Sequence, residues 1–79
     1  MKNIVSLCDV RMGARVRVNQ IHGGWRARQK LNQMGVHPGD ILVVKRSGIM
    51  GGPLLIQTHG SDVAVGRGLA RKIWVEAES

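Results

Sequence analysis

The apolar positions of this chain change period along its length. In Gly23–Val44, GGWRARQKLNQMGVHPGDILVV, residues Ala27, Leu31 and Met34 recur at i, i+4 and i+7. That spacing makes one stripe of a helix beginning near Trp25. Gly35 follows at once and suits the left-handed residue that ends a helix. Val36 then stands where such a cap drops an apolar contact back onto the last turn. His37-Pro38-Gly39-Asp40 puts Pro and Gly at the two central positions of a type II turn. Ile41 to Lys45 is β-rich and unbroken. Helix, cap, turn and strand agree with one another, so this unit organises the chain.

Elsewhere the period shortens to two. Ala14 to Ile21 alternates, with Arg15, Arg17 and Asn19 on one face and Val16, Val18 and Ile21 near the other. This predicts a half-buried strand with a basic outer face. Before it, Met1 to Ser6 reads as a lead-in, and Leu7, Val10 and Met12 as the first apolar anchors. Asp9 is placed to cap a short turn that Gly13 ends. Beyond the helical unit, Arg46 to Pro53 is a glycine-rich loop with Ile49 and Met50 at its tip. These two either form a contact surface or fold back over the core. Leu54 to Thr58 is a strand, and His59-Gly60-Ser61-Asp62 a hairpin turn with Gly60 at positive φ. Val63 to Val65 returns, Gly66 to Arg71 makes a bend or one helical turn, Lys72 to Val75 is the last strand, and Glu76 to Ser79 is a tail. The sum is mainly β: about five short strands with one inserted α-helix. Closing them as a small barrel protects the sheet edges.

Composition narrows the class. Seventy-nine residues form at most one domain, residues 1–79. No apolar run approaches the ~20 residues of a membrane span, and the start is too polar for a signal peptide. The lone Cys8 forms no internal disulfide. The expectation is a cytoplasmic protein. The net charge of +7 favours an acidic partner, a nucleic acid or an anionic membrane face, though charge also serves simple solvation. Arg26, Arg28 and Lys30 crowd positive charge toward the positive end of the helix dipole. With Gly23-Gly24 ahead of them, they either meet an anion or acidic side chain or point into water.

Candidate chemistry is sparse. None of Asp9, Asp40, Asp62, Glu76 and Glu78 pairs with a His or Ser at a catalytic spacing. Asp40 and Asp62 have structural explanations as turn residues. The glycines match neither the Walker nor the dinucleotide pattern. No enzymatic activity, cofactor or metal site is expected. Cys8, His22, His37 and His59 stand 14, 15 and 22 residues apart, unlike a compact ligand motif, although folding can still bring two of them together. Basic strands suit phosphate contacts. Single-strand-binding barrels, however, add aromatic platforms, and Trp25 and Trp74 are the only aromatics among Phe, Trp and Tyr.

An ordered set of residues resembles the FeoA family, small cytoplasmic accessory proteins of bacterial ferrous-iron uptake. It starts with Leu7, Gly13, Val16/Val18/Ile21 and Gly23-Gly24. Its most specific segment is Arg28-x-x-Leu31-x-x-Met34-Gly35-Val36-x-Pro38-Gly39. Gly51-Gly52-Pro53, Gly60 and Ala64-Val65-Gly66-Arg67-x-x-Ala70-x-x-Ile73-x-Val75 complete it. The resemblance implies an SH3-like barrel with an inserted helix, akin to the C-terminal domain of iron-dependent repressors. It also implies a non-enzymatic role in iron transport, docking on the GTPase-bearing membrane transporter FeoB at the inner face of the membrane. The residues offered for that contact are Arg26, Arg28, Lys30, Ile49, Met50 and Arg67. Family labels also mention transition-metal binding, for which the sequence shows no ligand cluster. A nucleic-acid-binding barrel and a metal-linked regulatory module remain the alternatives. Homo-oligomerisation stays open, since small barrels pair through exposed edges.

Overall fold

Alternating valine, isoleucine and leucine become six antiparallel strands in a computed structural model, which describes residues 3–47 and 51–78. The strands are β1 (Ile4–Ser6), β2 (Arg15–Ile21), β3 (Ile41–Ser47), β4 (Leu54–Thr58), β5 (Ser61–Val65) and β6 (Ile73–Ala77). Helix α1 (Gly24–Gln33) lies between β2 and β3, and one helical turn, α2 (Arg67–Ala70), lies between β5 and β6. The sheet order is β1-β6-β2-β3-β4-β5. Its coiling buries Val16, Val18, Leu42, Val44, Ile56 and Val75 together with Leu31 of α1.

One irregularity keeps this core continuous. In β2, Val16 and Val18 face inward, and strict alternation would send Gln20 in after them. The register against β6 shifts between Val18 and Gln20, so the extra residue turns Ile21 inward and leaves Asn19 and Gln20 exposed. β3 carries a second shift between Val44 and Arg46, after the buried Leu42 and Val44.

The junction after α1 forms as its sequence prescribes. The Val36 amide donates to the Leu31 carbonyl at 2.9 Å and the Gly35 amide to Asn32 at 3.1 Å, with Gly35 at φ +85°. This is the two-bond glycine cap, and it delivers Val36 to the core at 1% exposure. The next reversal is closed by the Asp40 amide on the His37 carbonyl at 3.0 Å, with Gly39 at φ +93°. Val18 bonds to the last two residues of that turn, donating to the Asp40 carbonyl and accepting from the Gly39 amide, each at 2.8 Å.

Several expectations need correction. The lead-in is partly a strand: β1 pairs with β6, but Ile4 and Val5 stay exposed, so it had no buried pattern to read. β6 extends through Glu76 and Ala77, which read as tail. The turn Leu7–Asp9 is capped by the Ser6 hydroxyl, which accepts from the Cys8 amide, and Asp9 lies within it. Met12 is 62% exposed and anchors nothing, whereas Leu7 is fully buried. The β4–β5 turn uses His59 as well as Gly60 at positive φ, which fits a two-residue hairpin.

Leu31 carries no exposed surface and joins α1 to the sheet. Leu31→Ala is expected to lower unfolding free energy by about 2–5 kcal/mol. Urea denaturation measures this, and a change near zero would remove the helix stripe from the core.

Candidate docking surface

The exposed faces of α1 carry three of the six candidate residues, Arg26, Arg28 and Lys30. Ala27 and Leu31 face the sheet, while Trp25, Arg26, Arg28, Gln29, Lys30 and Asn32 are exposed. The three bases do not form one cluster. At about 100° per residue, Arg28 lies roughly 160° around the helix from Arg26 and from Lys30, which are neighbours. Arg28 belongs to the stripe Trp25, Arg28, Gln29, Asn32 at i, i+3, i+4 and i+7. Among the described residues none of the three bases holds a side-chain hydrogen bond or an ion pair.

That stripe forms one wall of a groove of about 310 Å³. Ile21 and Val36 form its floor, and His37 and Pro38 the opposite wall. Trp25 is 69% exposed, the most exposed large hydrophobic side chain among the described residues. The 25/28/29/32 spacing was legible in the sequence. What hid the groove is that it needs the Pro38 turn to stand opposite the helix.

Arg67 is placed differently. It is half-buried, and its Nε donates to the Gly52 carbonyl at 3.1 Å. Its own carbonyl accepts from Cys8 Sγ at 3.8 Å. It therefore fastens α2 to the segment leading into β4. Ile49 and Met50 lie outside the described residues.

Folding does bring two histidines together, around one acid. Asp40 Oδ2 accepts from the His37 amide at 2.8 Å and lies 3.1 Å from His37 Nδ1. Its Oδ1 lies 3.1 Å from His59 Nε2 in the β4–β5 turn. Burial pushes the Asp40 carboxyl upward. The His37 amide bond and the two imidazoles together outweigh it and hold the group below its ordinary value. The acid thus ties two turns together, a role that no local pattern announced. Among the described residues no group of three or more His, Cys, Asp or Glu could hold a metal ion. No helix there is long and apolar enough to cross a membrane.

Six strands coiled about one core, with a helix between β2 and β3, define an SH3-like barrel. The chain belongs to the FeoA family: the FeoA domain profile matches residues 5–77. A Methanocaldococcus jannaschii protein named as an Fe(2+) transport protein A is 44% identical over 70 residues, covering 89% of this chain and 83% of that protein. The crystal structure of an iron uptake regulatory protein (FeoA) superposes with a TM-score of 0.84 at 38% identity, covering 92% of this chain and 95% of the other. A manganese-dependent transcriptional repressor reaches a TM-score of 0.89 at 19% identity, covering 99% of this chain and 44% of the repressor, a likeness of fold alone.

Because folding lowers the Asp40 value, its contribution is present above the unfolded value and is lost as pH falls through the folded one. Wild type is therefore expected to lose stability below about pH 4, with Asp40→Asn losing less over the same interval. Urea midpoints between about pH 6 and pH 2 measure this, and parallel curves would remove Asp40 from the acid transition.

Proposed function

We propose that this chain is a non-catalytic docking module of a ferrous-iron transport system, binding the GTPase-bearing membrane transporter FeoB at the cytoplasmic face. Family membership supplies the iron-transport context. The observation that carries the docking reading is the exterior of α1, where three bases and a tryptophan stand exposed with no acidic residue on the helix. An isolated charge of this kind is cheap to solvate, but a set left without internal partners is available to an acidic surface. Arg26 and Lys30 offer one basic face and Trp25 with Arg28 another. Ile49 and Met50 are assigned as an apolar contact on sequence grounds. Arg67 supports the contact by holding its segment in place.

The test is a nuclease-treated pull-down of this chain from solubilised native membranes, at low and high salt, with proteins identified by mass. The transporter is expected at low salt. Reversing Arg26 and Lys30 to Glu is expected to weaken capture about tenfold, mainly through slower association. The Ile49→Ser, Met50→Ser double variant is expected to keep its thermal midpoint while losing capture. A large loss of thermal stability would assign those two side chains to the core. Absence of the transporter, with nucleic acid bound in an untreated control, would overturn the docking reading in favour of a phosphate-binding barrel.

A further inference from the structure

The groove between α1 and the His37–Asp40 turn has the form of a peptide site, and its walls differ in character. Trp25 and Arg28, one helical turn apart, belong to the residue types that most often dominate binding energy at protein interfaces. Pro38 has a fixed φ, and the Asp40 carboxylate pins His37 through its amide, so the opposing wall is already set. The floor is apolar, with Ile21 turned inward by the β2 bulge and Val36 by the helix cap. Gln29 and Asn32 give the rim amide donors and acceptors. Among the described residues no carboxylate lines the groove.

We infer that this groove takes a peptide segment with one apolar anchor side chain flanked by Asp or Glu, presented by the partner protein. The inference rests on the docking reading for the owner of the segment, and on the groove for its chemistry. A volume of about 310 Å³ accommodates one or two apolar side chains. Arg28 on the rim, with no acid among the described lining residues, favours a carboxylate. A second copy of this chain, itself at +7, would bring like charge to that rim. A nucleic-acid strand needs a continuous track of bases, but Arg26 and Lys30 stand on another side of the helix from Arg28. The exposed Trp25 ring supplies the apolar area that docking removes from water.

The experiment selects a random peptide library displayed on phage against the immobilised full chain. Recovered peptides are then titrated by fluorescence against a Trp74→Phe variant, in which Trp25 is the sole reporter. Trp74 stacks on His22 at 5.1 Å, and Phe retains a ring there. Enriched peptides should carry Leu, Ile, Met or Phe beside acidic residues and should shift Trp25 emission. Arg28→Glu should weaken them at least about tenfold. Trp25→Ala, followed by calorimetry, should do the same, while the Arg26→Glu, Lys30→Glu variant should change affinity less than about threefold. Failure to enrich any sequence would overturn the inference, as would peptides without acids or binding indifferent to both groove variants. A Trp25 shift produced equally by phosphatidylserine vesicles or by single-stranded DNA would also overturn it. The selection uses no transporter, so it can fail while the pull-down succeeds. Capture of the transporter by a Trp25→Ala, Arg28→Glu chain would leave docking in place and remove the groove from it.

Discussion

The junction between α1 and β3 is the constraint on which the rest of the structure depends. Two hydrogen bonds close the helix, from the Val36 amide to Leu31 and from the Gly35 amide to Asn32. They aim the chain so that Val36 enters the core beside the helix it has just left. Four residues later the turn is fastened to β2 through both polar groups of Val18. The helix is therefore held to the sheet by its buried stripe and by a short junction tied to the strand it crosses. A looser connection would leave Leu31 and Ala27 to fix the helix alone. The same junction sets the distance between Trp25 and Pro38, so the groove follows directly from how α1 ends.

This junction was legible because every residue in it has a local reason to be there. Gly35 and Gly39 occupy positive φ, Pro38 begins the turn, and Asp40 closes it. Strand β4 was equally plain, since Leu54, Ile56 and Thr58 alternate inward without a break. Legibility failed where burial and periodicity part company. β1 is held by backbone pairing to β6, while Ile4 and Val5 remain exposed, so hydropathy alone could not tell a strand from a lead-in. Met12 is apolar yet solvent-facing, and no neighbour in sequence says so. The bulge after Val18 was visible only as an awkward step from Val18 to Ile21; its cause is the pairing with β6.

The candidate site divides in the same way. Alternate positions on a helix point to opposite sides, so reading Arg26, Arg28 and Lys30 as one cluster conflicted with helix geometry already available in the sequence. Arg67 looked like a free base on a glycine-rich bend and is instead bonded to the Gly52 carbonyl. The meeting of His37, Asp40 and His59 needed the strand register, because the antiparallel pairing of β3 with β4, Val43 against Gln57, brings His59 to the start of β3 beside Asp40. Trp25 carries a signal of its own in the sequence. It lies outside the Ala27/Leu31/Met34 stripe, and a tryptophan off the core stripe of a short helix has nothing else in that helix to cover it.

The distribution of acids explains why these surfaces stay open. Asp40 is occupied by two histidines, and Glu78 faces Arg17 at 3.3 Å on the far side of β2. Neither forms an ion pair with a base of α1, and the helix contributes no acid of its own. An exposed ion pair would add little stability there, so its absence costs the fold almost nothing. What it changes is recognition, since unpartnered bases on a rigid scaffold steer and orient an acidic partner. The same barrel occurs in a metal-dependent repressor at 19% identity, so the scaffold alone does not specify a role. Specificity has to reside in what decorates it. On the docking reading proposed above, that decoration is a tryptophan–arginine wall facing a turn that the helix cap has fixed in place.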